Sequence, residues 1–191
     1  MCYTGGIMSR GSMYQIRTLC HPRLPEGVEW QGCGAEALLD APAFVSVIVS
    51  RRCTADEIEV ETCRIIEAVR RGAVAVGGFI SVGEQLIARA LSEVPGAKLI
   101  RLVPYPLRFY YPSRAGRVRI AEGTTLLLSG FMQGDGARTR ERCLQSNAWA
   151  RAIEAVAPWT DLPTGDVSAP EAPAPEGLVY APIGDPGAVF L

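Results

Sequence analysis

The sequence predicts an α/β fold in which helices cover a mostly parallel sheet. Four short apolar runs have the length and composition of buried parallel strands. They lie at residues 44–50, 73–77, 98–103 and 125–129. Segments with helical periodicity or capping signals alternate with these runs, and the connecting loops are short, so right-handed βαβ units are expected. With 191 residues, the chain is long enough for one domain with extensions.

The first expected unit starts with the valine-rich strand at 44–50, which follows Pro42. Thr54 and Glu57 then have the spacing of a capping box, so a helix is expected to begin there. Apolar residues recur along this helix at helical spacing, which predicts one buried face. Gly72 follows its last turn, as a C-terminal capping glycine does.

The second unit is the stretch that combines a strand, a glycine pair and a capped helix. Gly77 and Gly78 follow the strand at 73–77, and Ser81 with Glu84 forms a second capping box before a helix that runs to about Val94. Glycines allow a sharp turn and close approach of a ligand. Together with the N–H groups of the helix start they form a plausible anion-binding site. A tight turn without a ligand explains the pattern equally well.

The third strand, at 98–103, is followed by a loop rich in aromatic residues and arginine, read as extending over 104–119. The fourth strand leads through a glycine-containing loop into a helix from about Arg138 to Ala157. Arg138, Arg140 and Arg142 crowd the first turns of this helix, where the helix dipole disfavours positive charge. An anion nearby would offset this cost; otherwise the arginines point into solvent.

Two extensions flank the domain expected at residues 40–160. Residues 1–39 predict an irregular N-terminal extension, with a short edge strand at 14–19 and one helical turn at 35–39. Residues 161–191 predict a Pro/Ala-rich acidic tail with a possible last strand at 178–181.

Composition excludes several classes of function. No apolar run approaches the length of a membrane span, and the N-terminus lacks the apolar region of a secretory signal. A cytoplasmic protein is therefore expected. The six cysteines are scattered without a Cys-x-x-Cys pair, so we expect reduced thiols and no zinc site. His21 is the only histidine, which excludes a histidine-rich metal site.

The net charge of −1 conceals two segments of opposite sign. Residues 98–151 carry +7, and residues 154–191 carry −6. A basic segment followed by an acidic tail is associated with nucleic-acid or phosphate partners, although a solvated mixed surface gives the same totals. We hypothesise that part of the tail, such as Asp166 or Glu171, lies near the arginines and competes with a polyanion.

Five sequence pieces occur in the order of a known family. They are VIVSRRCT after the first strand, VGGFISVGEQLIARAL after the second, LIRLVPYPL on the third, EGTTLLLSGF around the fourth, and the arginine-rich helix that contains Asn147. In this order and spacing, residues 44–157 resemble the DNA-processing protein A (DprA/Smf) branch of the Rossmann-like superfamily that includes the "Lonely guy" nucleotide hydrolases. The resemblance implies a Rossmann-like three-layer domain from bacteria.

The resemblance also implies a partner and a binding site. The partner would be a nucleotide or single-stranded DNA, with no cofactor, no metal and no membrane; a homodimer is a possible assembly. The residues implied to contact phosphates or nucleic acid are Ser50, Arg51, Arg52, Gly77, Gly78, Ser81, Arg138, Arg140 and Asn147. The chain departs from the family at Ser146, where an arginine is usual, and it lacks the Pro-Gly-Gly-x-Gly-Thr signature of the hydrolases.

Three functions follow as hypotheses. A binding module would hold phosphates with arginines and stack bases on the aromatic residues of the third loop, which are Tyr105, Phe109, Tyr110 and Tyr111. A hydrolase would cleave the N-glycosidic bond of a nucleoside monophosphate, with Glu84 as a weak catalytic candidate whose position capping alone also explains. A degenerate fold retained for protein contacts is the third hypothesis.

Overall fold

The computed structural model describes residues 15–163 and confirms the α/β class. The strands are β1 (Arg17–Leu19), β2 (Trp30–Gly34), β3 (Phe44–Val47), β4 (Val74–Gly77), β5 (Leu99–Leu102) and β6 (Thr125–Ser129). The helices are α1 (Ala55–Arg70), α2 (Val82–Ser92), α3 (Arg114–Ala121) and α4 (Arg140–Val156), with 3-10 turns at Glu36–Asp40, Leu107–Phe109 and Trp159–Asp161. No helix among the described residues has the length and apolarity needed to cross a membrane.

The strands form one sheet in the order β1-β2-β6-β5-β4-β3. The four strands expected from the sequence, β3 to β6, lie side by side in chain order and pair in parallel, which confirms the mostly parallel sheet. Strands β2 and β1 extend it in antiparallel pairing beyond β6. Strand β3 ends at Val47, whereas the apolar run that predicted this strand continues to residue 50.

The two faces of the sheet bury different helices. Alternate residues of the parallel strands, such as Phe44 and Leu128, pack against α4 through Trp149 and Ile153. The intervening residues pack against α1 and α2. Helix α3 lies on that same face, over β6 and β2, where Ile120 contacts the core. The result is a three-layer arrangement in which all four parallel strands end at one edge.

Two regions differ from the expectations. In the N-terminal extension the structure confirms the short edge strand, as β1, and the helical turn, as the 3-10 turn at Glu36–Asp40, but it adds strand β2, which was not expected. Strand β2 reads WQGCG and lacks apolar alternation, and it forms because the edge of β6 offers free backbone groups. A Cβ on Gly32 would lie 2.1 Å from Leu19 Cδ1, so any larger residue there requires the Leu19 side chain to move.

The second difference is helix α3, most of which lies within residues 104–119, where the sequence predicted a loop. Ser113 caps it by accepting a hydrogen bond from the Gly116 N–H at 3.1 Å. Arginines occupy so much of α3 that its sequence shows little apolar periodicity. The possible last strand at 178–181 and the tail residues Asp166 and Glu171 lie outside the described residues.

Candidate nucleic-acid interface

Four loops meet at the edge where the parallel strands end, which we call the carboxyl edge. They are the first loop (residues 48–54), the second loop (78–81), the third loop (103–113) and the fourth loop (130–139). Because β3 to β6 are parallel neighbours, the loops that leave them lie side by side. Helices α1, α2 and α4 begin at this edge, so their N-termini point towards it.

The side chains of Ser81 and Glu84 tie the first loop to the second. Glu84 Oε1 accepts a hydrogen bond from the Val49 N–H at 3.3 Å. Its Oε2 accepts from the N–H groups of Ile80 and Ser81 at 2.7 and 3.2 Å. Ser81 Oγ donates to the Val49 carbonyl oxygen at 3.2 Å and accepts from the Glu84 N–H. The two loops therefore form one unit.

These contacts account for Glu84 without a catalytic role. Its side chain belongs to a residue only 3% exposed, and both carboxylate oxygens accept backbone hydrogen bonds. The carboxylate also places a negative charge beside the start of α2, where the sequence offered a plausible phosphate site. Ser81 uses its hydroxyl in the same set of contacts.

The glycine pair is buried between neighbouring strands. A Cβ on Gly77 would lie 2.6 Å from the Val47 carbonyl oxygen, so only glycine permits this approach of β4 to β3. Gly78 is buried as well. Phe79 follows in a left-handed conformation with φ of 51°, which is unusual for a residue other than glycine. The structure thus gives this turn a packing role, and a role in binding stays a prediction.

The first loop turns at Ser50 and presents two arginines. Ser50 Oγ accepts a hydrogen bond from the Arg52 N–H, and its carbonyl accepts one from the Cys53 N–H, both at 3.2 Å. Arg51 and Arg52 are exposed. Neither lies within ion-pair distance of a carboxylate among residues 15–163. Their charge therefore faces solvent uncompensated.

The start of α4 presents two further arginines of the same kind. Thr139 caps the helix by accepting from the Arg142 N–H. Arg138 and Arg140 are exposed, and within the described part of the chain neither forms an ion pair. Arg142 differs, since it donates to the Asp135 carboxylate at 3.1 Å and to the Ala137 carbonyl. Of the three arginines at this helix start, Arg138 and Arg140 thus remain available for contact with an anion.

Cys143 shows that the first loop and the start of α4 are neighbours. Burial raises the pKa of the Cys143 thiol, while the charges of Arg51 and Arg138 act in the opposite direction. Both guanidinium groups therefore lie within electrostatic range of one side chain. Asn147 is half-buried one turn further along α4, the helix that packs on β3 and β4. Arginines distant in sequence thus meet at one edge.

The fourth loop is braced by contacts that the sequence did not reveal. Arg108 donates to the carbonyl oxygens of Met132 and Gly134, both at 2.9 Å, while its guanidinium stacks 4.7 Å from the centre of the Phe109 ring. Arg108 therefore serves the loop structure, unlike the exposed arginines. The adjacent aromatic residue was the only sequence signal for this role.

The aromatic residues of the third loop are not equally accessible. Tyr105 is 7% exposed and belongs to a core cluster, so it cannot stack on a base in this arrangement. The hydroxyl of Tyr110 accepts a hydrogen bond from Arg101 at 3.2 Å. Phe109 and Tyr111 are 40% and 86% exposed. Tyr111 is thus the most accessible stacking candidate of the four.

The residues with metal-ligating side chains are dispersed within residues 15–163. No group of three or more His, Cys, Asp or Glu side chains is placed there to hold an ion. The five cysteines of this region are free. His21 lies 3.1 Å from an oxygen of Asp40 and accepts from the Arg23 N–H, so it joins a surface turn to the 3-10 turn before β3.

The comparisons with known proteins point to one kind of protein. A scan against protein-family models gave no match, and neither did a search of the curated proteins. DNA processing protein A from Helicobacter pylori, a structure described for its single-stranded DNA binding mode, is 27% identical, with a TM-score of 0.57. The match covers 77% of this chain and 68% of that one.

A second solved structure has the same fold. DNA processing protein A (DprA) from Streptococcus pneumoniae is 19% identical, with a TM-score of 0.55 over 74% of this chain. The present chain spans about half of that protein, since the match covers 52% of it. The parallel sheet, the order of its motifs and these two structural matches show that the chain has a DprA-like, Rossmann-like fold.

Proposed function

We propose that the carboxyl edge binds single-stranded DNA, or a nucleotide, through its phosphates. The observation that carries the proposal is the set of four exposed arginines without ion pairs at this edge. They are Arg51, Arg52, Arg138 and Arg140. Guanidinium groups suit bidentate phosphate contacts, and unpaired surface charge attracts a polyanion. The single-stranded DNA described for the Helicobacter pylori protein agrees with this chemistry.

The other predicted site residues would act around these arginines. Ser50 fixes the turn that presents Arg51 and Arg52. Asn147, half-buried in the second turn of α4, would offer its amide to a phosphate or sugar oxygen. Tyr111 offers a ring for a base, and such stacking contributes about 1–3 kcal/mol. The path of the second loop would be set by Gly77, Gly78 and Ser81.

The proposal includes a setting for the protein. The domain at residues 40–160 would carry the binding site, and the extensions would flank it. The protein would work in the bacterial cytoplasm, with a homodimer as a possible assembly. The five free cysteines of the described region suit a reducing compartment.

Binding of a fluorescent single-stranded oligonucleotide at low salt tests the proposal. The double variant Arg51→Gln/Arg138→Gln removes one positive charge from the first loop and one from the segment just before α4. Each charge-assisted contact contributes about 1.5–3 kcal/mol, so binding should weaken by at least about tenfold. Arg151→Gln is the matched control, because Arg151 is an exposed arginine near the other end of α4. Equal affinity of the double variant and the control would overturn the proposal.

A further inference from the structure

A groove on one face of the sheet separates α2 from α3 and extends to Tyr110 and Pro112 of the third loop. Its floor is the face of β5 and β6, and its walls carry the small side chains of Ala88 on α2 and Ala115 on α3. Gly116 also lines it. The cavity measures about 150 Å³. This is below the roughly 300–1,000 Å³ of pockets for drug-sized ligands, so only a small group fits inside.

Two arginines enter this groove from different elements. Arg101 projects from the middle of β5, and Arg119 from the last turn of α3. Both are half-buried, on a face where the neighbouring strand residues are Leu99, Leu127 and Thr125. Burial lowers the pKa of Arg119; the charge of Glu122 opposes this effect, and the nearby charge of Arg101 adds to it. The two guanidinium groups therefore repel each other across the groove.

The partners of these arginines in the described region are neutral. Arg101 donates to the Tyr110 hydroxyl at 3.2 Å and lies 5.3 Å from the centre of the Phe79 ring. Arg119 donates to the Ala97 carbonyl oxygen at 2.9 Å. Neither forms an ion pair with a carboxylate within residues 15–163. Partly buried charges are normally paired, so two positive charges in one cavity leave a place for an anion.

We propose that the groove between α2 and α3 binds a small oxyanion of the phosphate class, held by Arg101 and Arg119. The site lies on the face of the sheet, so it is distinct from the arginines of the carboxyl edge. Tyr110 stands at its rim and can donate its hydroxyl proton to an anion oxygen while it still accepts from Arg101. The small side chains of the walls leave room for the anion but not for a larger group.

The anion has two possible sources that share this chemistry. Inorganic phosphate fits inside as a whole, whereas a nucleoside monophosphate would place its phosphate inside and its nucleoside outside the rim. Titrations of the Arg51→Gln/Arg138→Gln protein with inorganic phosphate and with a nucleoside monophosphate, each at constant ionic strength, distinguish them, because this variant lacks two of the proposed nucleotide contacts at the carboxyl edge. Tighter binding of the free anion assigns the groove to inorganic phosphate, and tighter binding of the monophosphate assigns it to a phosphate ester.

Calorimetric titration of the full chain with inorganic phosphate tests the site itself. Arg101→Gln should weaken saturable phosphate binding at least about tenfold, because a charge-assisted contact is lost. Arg89→Gln should bind normally, since Arg89 is an exposed arginine of α2 that does not line the groove. Ala115→Leu narrows the groove while keeping both charges, and it should also weaken binding. This variant distinguishes phosphate binding inside the groove from nonspecific attraction of phosphate to positive charge.

Three results would overturn the inference. One is wild-type protein that shows no saturable response to phosphate beyond that to chloride. Another is an Arg101→Gln protein that binds phosphate as tightly as Arg89→Gln. The third is loss of phosphate binding in Arg51→Gln/Arg138→Gln, because the anion would then occupy the carboxyl edge. The double variant also keeps this site separable from the proposed DNA-binding function, which can fail while the groove still binds phosphate.

Discussion

At the scale of single residues, Glu84 holds the carboxyl edge together. Its two oxygens accept three backbone hydrogen bonds that join the first and second loops. In Glu84→Gln one acceptor oxygen is replaced by a donor, so buried N–H groups lose their partners. We expect unfolding free energy to fall by about 1–3 kcal/mol in urea denaturation. Glu93→Gln, at an exposed position just after α2, should change it little, and equal effects of both would contradict this role.

Asp135 makes the fourth loop sensitive to acid. Its pKa is lowered by a hydrogen bond from the Ala137 N–H and then by Arg142. A lowered pKa in the folded state means that the contact stabilises above the carboxyl's usual pKa and is lost as pH falls through the lowered value. The protection factors of residues 130–139, which correct for the pH dependence of intrinsic amide exchange, should therefore fall below about pH 4. In Asp135→Asn the loop should exchange faster at neutral pH; unchanged exchange there would contradict the prediction.

At the scale of elements, an aromatic cluster positions α4 against the sheet. Trp149 packs edge-to-face on Trp30 of β2 with ring centres 4.8 Å apart, and Phe131 of the fourth loop lies 5.0 Å away. Trp149→Ala should cost about 3–5 kcal/mol of unfolding free energy, because it leaves a cavity in the core. Leu144→Ala, at a 52% exposed position of α4, should cost much less. Similar losses in the two variants would show that the cluster does not fix the helix.

The elements that the sequence predicted correctly have patterns that repeat locally. β3 to β6 are apolar runs, and α1 and α2 begin at capping boxes that both form. β2 escaped prediction because its pairing with β6 depends on distant backbone groups rather than on its own residues. Helix α3 was not predicted because only one side of it packs on the core, through Ile120. Long-range pairing and one-sided burial leave little trace in a local pattern.

The candidate site was predictable only in part for a similar reason. The order of parallel strands placed Arg51 and Arg138 at one edge. The sequence could not show that Glu84 would join the first two loops as well as cap α2, since capping and ligand binding use the same residues. It also could not separate Arg108, which braces a loop, from the exposed arginines. Side-chain partners come from distant parts of the chain.

At the scale of the whole molecule, the acidic tail is expected to compete with DNA. Residues 154–191 carry −6, and the chain is described up to Pro163. Arg71 donates to the Leu162 carbonyl and lies over the ring of Trp159, so a truncation must keep these residues. Truncation after Pro163 should raise affinity for single-stranded DNA at low salt, and the gain should shrink as salt rises. Unchanged or lower affinity would contradict competition by the tail.

The salt dependence of single-stranded DNA binding reports how many phosphates the whole molecule contacts. The logarithm of the association constant falls with the logarithm of salt concentration by about 0.7 per phosphate contact on a single strand. If Arg51 and Arg138 each hold one phosphate, their double Gln variant should show a slope shallower by about 1.4 than that of Arg151→Gln. Equal slopes for these two proteins, or wild-type binding that does not change with salt, would contradict phosphate recognition at the carboxyl edge.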